Sequence, residues 1–126
     1  MTIKPTFAAS AILVVAVLLS AEASAAAGPD GATLFRQRCQ SCHSVTPGQN
    51  SPLAPNLAGV VGRNAASTSF NYSPALKASK LVWNRANLDR YLTAPMRTVP
   101  GTRMVMAVPD PQQRGAILDF LAGTGR

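Results

Sequence analysis

Histidine, cysteine, acidic side chains and aromatic rings are all scarce here: one histidine, two cysteines, five Asp plus Glu, and 6% aromatics in 126 residues. Each shortage closes off a class of function. A structural zinc site takes four nitrogen or sulfur ligands, mostly from Cys and His, and this chain cannot fill one. No catalytic nucleophile with an acid–base partner stands out, and no recognised nucleic-acid motif occurs. With so few aromatics, a domain of about 100 residues buries only a marginal core unless something else completes it. Long apolar runs are missing too. The stretch from Ala8 to Leu19 falls short of the ~20 residues of a membrane span, and Glu22 interrupts its far end.

What stands at the N-terminus is a secretory pattern: Lys4, the apolar stretch, then small residues through Ala23-Ser24-Ala25-Ala26-Ala27. Residues 1–25 are expected to be a signal peptide, cleaved near 25 to 27, with an uncleaved membrane anchor as the competing reading. The protein is therefore expected to be exported from a bacterial cytoplasm into the periplasm. Cleavage removes Lys4 and Glu22, so the mature chain keeps the full chain's net charge of +7. Such a basic exported domain suits an acidic protein face, with anionic lipid as the other partner of that charge. Nucleic acid is not expected there.

Both cysteines and the histidine fall within Cys39-Gln40-Ser41-Cys42-His43. This spacing reads as a site of covalent haem attachment. Two sulfurs three residues apart share one helical turn and can reach two vinyl groups on one haem edge. The imidazole of His43 follows directly and can ligate the iron. A thioredoxin-like redox pair would need a βαβ setting, which the flanks do not suggest. A disulfide closing so small a loop would stabilise little.

The remaining pattern is helical with long irregular stretches. Asp30 is read as the N-cap of a first helix running through Leu34, Phe35 and Arg38 into the cysteine motif. Prolines, glycines, serines and asparagines from Thr46 to Asn71 predict a loop. A loop that long is unusual in a small domain unless it wraps something, and a haem is a suitable object. Ser73-Pro74 opens a short helix to about Ser79. Asn84 caps another, with Leu88, Tyr91 and Leu92 at helical spacing, and the Ala94-Pro95 junction stops it. Asp110-Pro111-Gln112-Gln113 starts the last helix, whose face is Ala116, Ile117, Phe120 and Leu121 and which ends at Gly123. No convincing strand and no internal repeat is found. The first and last helices are expected to cross.

Between the third and last helices runs Pro95-Met96-Arg97-Thr98-Val99-Pro100-Gly101-Thr102-Arg103-Met104-Val105-Met106. Its prolines and Gly101 fix a bent backbone that can present a thioether as a second iron ligand, and His/Met ligation raises a reduction potential. Without the cysteine motif these would be read as ordinary core methionines.

From about Gly31 to Leu121 the chain resembles the class I cytochromes c, the small soluble type of mitochondria and of the bacterial periplasm. The likeness rests on the cysteine motif and on Pro100-Gly101-Thr102-Arg103-Met104, which matches the family's methionine loop. It implies an all-α fold of three to four short helices and long loops wrapped around one covalent haem, a monohaem domain over residues 28–126, and a monomer. It also implies haem c held through Cys39 and Cys42, with His43 and Met104 on the iron. Ala54-Pro55-Asn56-Leu57, with Gly59 and Gly62-Arg63, resembles the family segment whose proline carbonyl accepts a hydrogen bond from the ligand histidine. Here that carbonyl is Pro55's. By the same likeness Tyr72 and Trp83 would donate to a haem propionate, with Arg63 a nearby positive charge, and Tyr91 would sit near the methionine sulfur. Gly31 and Phe35 would pack against Ile117 and Phe120. Two departures stand out. Met106 takes the place of the family's usual aromatic, as a shield of the haem edge or a competing ligand, and the lysines expected around the haem edge are thinned and replaced by arginines.

The function expected is one-electron transfer through the haem, with no enzymatic activity. Arg38, Arg97 and Arg103 would form a basic face for acidic faces of redox proteins such as an oxidase, a reductase or a dehydrogenase. Contact with a membrane would come only through those partners, provided the leader is cleaved. Two other readings differ in class. One is a small-ligand-binding protein or weak peroxidase with a labile Met104. The other is a dedicated electron-transfer subunit of one dehydrogenase.

Overall fold

Four of the helices begin at a side chain that satisfies the free N–H groups of the first turn. α1 spans Gly31–Arg38 behind Asp30, whose carboxylate accepts from the Thr33 N–H at 2.9 Å. α2 (Pro74–Ala78) starts at Ser73, α3 (Arg85–Thr93) at Asn84, and α5 (Pro111–Ala122) at Asp110. Each cap oxygen accepts from a backbone N–H two or three residues on. The computed structural model describes residues 1–2 and 27–126. The expected signal peptide lies, but for its first two residues, outside the described residues. Among the described residues, no helix is long and apolar enough to cross a membrane.

Two details differ from the sequence reading. The described residues form five helical segments instead of three to four, because α4 occupies Pro95–Thr98 inside the stretch expected to be only bent chain. Pro95 sets a helical φ at its first position. The Thr98 hydroxyl then closes the turn onto the Ala94 and Arg90 carbonyls, both at 3.0 Å. Second, α1 stops before the cysteine motif. Cys39 is its C-cap, and Cys39 to His43 form a separate turn in which the His43 N–H reaches the Cys39 carbonyl at 2.9 Å.

α1 crosses α5, while α3 packs on both α4 and α5. The crossing is close at Gly31, where a Cβ would lie 2.0 Å from the Ala116 carbonyl oxygen. Phe35 and Phe120 meet there with ring centroids 5.3 Å apart. Phe35, Ile117 and Leu118 are at most 2% exposed. Burying side chains of this size is worth about 1.5–3 kcal/mol each. Among the described residues, β pairing is confined to one bridge, Asn64 with Val82.

Candidate haem site

Cys39 and Cys42 are free thiols, Cys39 half-buried and Cys42 exposed. Burial pushes the Cys39 thiol above its ordinary range, and the neighbouring Arg38 charge opposes this. Among the described residues, no three His, Cys, Asp or Glu side chains come together as a metal cluster.

His43 Nδ1 lies 2.7 Å from the Pro55 carbonyl oxygen. A carbonyl only accepts, so Nδ1 carries the proton and Nε2 keeps a free lone pair. Burial lowers the imidazole pKa, partly offset by this hydrogen bond, and the ring is neutral near pH 7. A neutral imidazole with its second nitrogen oriented is the form that ligates metals.

The Pro55 segment is tied to its surroundings by the next residue. Asn56 donates to the carbonyls of Thr46 and Gln49, at 2.7 and 2.6 Å, and accepts from the Ala58 N–H at 2.7 Å. Arg63 spends its two terminal nitrogens on the carbonyls of Asn56 and Ala58, at 2.8 and 2.9 Å. Its Nε is buried and lacks a hydrogen-bond partner among the described residues. The backbone of Arg63 then pairs with Trp83, whose N–H donates to the Arg63 carbonyl at 2.8 Å.

Trp83 stacks at a tilt on Tyr91, centroids 4.9 Å apart. The hydroxyls of Tyr91 and Thr102 are 2.5 Å apart, both residues being buried. Burial raises the Tyr91 pKa, and Thr102 opposes this, so the phenol stays protonated near neutral pH. A run of contacts therefore leads from His43 through Pro55 and its neighbour Asn56 to Arg63, Trp83, Tyr91 and Thr102, two residues before Met104. Tyr72 lies apart from this run, its hydroxyl 2.6 Å from that of Thr68 and its ring edge-on to Phe70. One of the two hydroxyl protons serves that pair and the other remains free.

Cys39 and Met104 are both partly buried and pack against the same apolar cluster. Met106 is 51% exposed and does not join it. Sequence reasoning missed the ties of Asn56 to Thr46 and Gln49 and of Thr102 to Tyr91, partners 10, 7 and 11 residues away.

The sequence profile described as "Cytochrome c" matches residues 29–125. This chain belongs to the cytochrome c family. Cytochrome c2 of Rhodomicrobium vannielii is 44% identical over 110 residues, covering 85% of this chain and 87% of that protein. Cytochrome c of Theileria annulata is 39% identical over 92 residues, covering 72% and 80%. The solved structure of cytochrome cH from Methylobacterium extorquens superposes with a TM-score of 0.67 at 35% identity, covering 74% of this chain and 97% of that one. As a cytochrome c, the protein is an electron-transfer haem protein and not an enzyme, and it binds haem c covalently. Its fold is the class I cytochrome c fold.

Proposed function

We propose that this cytochrome c is a periplasmic one-electron carrier, attached to its haem through Cys39 and Cys42 and ligating iron with His43 and Met104. When bound, the haem supplies iron that cycles between ferrous and ferric. The observation that carries the assignment is the 2.7 Å hydrogen bond from His43 to Pro55, made by a histidine directly after the cysteine pair. It leaves Nε2 aimed by a fixed partner. Met104 is favoured over Met106 because it packs on the core, whereas Met106 is half-exposed.

The orphaned Nε–H of Arg63 supports the fit of the group, since a buried cationic donor without an acceptor is costly and a propionate carboxylate would satisfy it. Trp83, paired with the Arg63 backbone, and Tyr72, which would donate there while accepting from the Thr68 hydroxyl, are the further donors proposed for that end. Tyr91 acts on the methionine side through Thr102.

The partners proposed are redox proteins with acidic faces. Arg97 and Arg103 are exposed and Arg38 half-buried, and Arg103 is steadied by a 2.8 Å bond to the Asn71 carbonyl. The leader-like residues before 28 support export, leaving residues 28–126 as the haem domain of a monomer.

Electrode titration of the exported protein, with reduction kinetics against ionic strength, tests this reading. One reversible one-electron wave is expected, with a rate toward a negatively charged redox protein that falls steeply as salt rises. A salt-independent rate, or haem that washes out on denaturation, would contradict it.

A further inference from the structure

Met104 sits in a span that the fold grips at its two ends. From Arg103 to Ala107, no residue gives or takes a backbone–backbone hydrogen bond among the described residues. The near end is Thr102, fixed to the buried Tyr91 hydroxyl at 2.5 Å and to the Val99 carbonyl at 3.0 Å. The far end is Val108, which is 2% exposed. Its N–H reaches the Leu92 carbonyl at the end of α3, at 2.7 Å, and its carbonyl accepts from Arg114 at 3.0 Å.

Arg114 is a charged residue with only 8% of its surface exposed. One terminal nitrogen takes both the Val108 and Pro109 carbonyls at 3.0 Å, while Nε meets Asp89 of α3 at 2.6 Å. The guanidinium thus joins α5, α3 and the far end of the methionine span. Its planar fork suits that geometry, and a lysine ammonium, a point charge on a flexible stem, would not reproduce it. Burial of so polar a group is tolerable because Asp89 balances the charge and the carbonyls take up the donors.

We propose that Arg114 is a positioning residue for the Met104 sulfur. By fixing Val108 and Pro109 to α3, it limits how far the span can lift and keeps Met104, not Met106, as the ligand. This inference rests on the assignment of Met104 to the iron. Without Arg114 the Val108 carbonyl is left buried without its donor, and the slack lengthens toward Asp110.

Imidazole added to the ferric holoprotein reads that slack, because it binds only when the methionine has left the iron, so its apparent affinity scales with the open population. Arg114→Gln should bind imidazole at least tenfold more tightly than the native protein, the size set by losing charge-assisted hydrogen bonds. It should also lose the far-red methionine-to-iron absorption band at a lower pH. Arg114→Lys should fall between the two. Phe120→Leu, which loosens the crossing of α1 and α5 without touching the span, should leave imidazole affinity within twofold of native at a comparable loss of denaturant stability. If Arg114→Gln fails to accumulate, Asp89→Asn, which removes the balancing charge, is measured by the same criterion. Native-like imidazole affinity on losing Arg114 or Asp89, or an equal rise in Phe120→Leu, would overturn the proposal. A native protein without the far-red band would overturn the Met104 assignment itself, and this inference with it.

Discussion

Residues 44–63, which lead away from His43, and residues 99–110, which carry Met104, are both long connections, and they are held by different means. The first is tied mostly to itself. Asn56 draws in Thr46, Gln49 and Ala58, Arg63 clasps the Asn56 and Ala58 carbonyls, and the Leu57 N–H reaches Ser44 at 2.8 Å. Thr124, which accepts from the Gly59 N–H at 3.3 Å through its hydroxyl, and Trp83, whose backbone exchanges hydrogen bonds with Gly62 and Arg63 at 2.9 and 2.8 Å, add ties from outside. The second is held almost wholly by other elements: Tyr91 and Leu92 of α3, Asn71, and Arg114 of α5. A connection stitched to itself keeps its geometry when the helices shift, whereas one hung between helices follows the residues that hold it. The histidine side is accordingly expected to be the stiff wall and the methionine side the one that yields first.

The largest effect should come at that yielding side. Met104→Leu should abolish the far-red ferric band and let carbon monoxide bind the ferrous protein, while Met106→Leu should leave both behaviours native. Absorption spectra of the two variants decide this, and the reverse pattern would move the ligand to Met106.

Gly31→Ala should act on the helix crossing and on the internal ties of neither wall, since its Cβ would lie 2.0 Å from the Ala116 carbonyl oxygen, and neither helix backbone can give way cheaply. A stability loss of about 3 kcal/mol is expected from denaturant titration.

Asn56→Ala should cost less, about 1–2 kcal/mol, by removing hydrogen bonds internal to the histidine-side loop. The pH at which the far-red band disappears should not move. If it does move, the two walls are coupled and the contrast fails.

Asp30→Ala should have the smallest effect and report on neither wall. The Thr33 hydroxyl and N–H, with smaller help from Ala32 and Arg36, hold the Asp30 pKa below its ordinary 3.8. Its contribution is therefore present above that pH and lost as pH falls through the lower folded-state value. Melting temperatures of variant and native protein should differ near neutrality and converge in acid.

Much of this was legible locally. Asp30, Ser73-Pro74, Asn84 and Asp110-Pro111 signalled their helices because capping is a matter of two or three residues. The cysteine motif and the Pro100 to Met104 run pointed to the family for the same reason. α4 was missed because one turn started by Pro95 leaves no periodic pattern to read. The helix expected to run into Cys39 ends one residue earlier, and nothing local marks that break. Arg114 carries no local signal of its role, since its partner Asp89 lies 25 residues away. Thr102 likewise gains its role only from Tyr91, 11 residues before it.

The most direct test of the account is the absorption spectrum of the native holoprotein, ferric and then dithionite-reduced, with and without carbon monoxide. A far-red ferric band, sharp low-spin reduced bands and indifference to carbon monoxide are predicted, because the proposed ligand Met104 lies in a span held at both ends. Absence of the far-red band together with ready binding of carbon monoxide would contradict it and take Met104 off the iron.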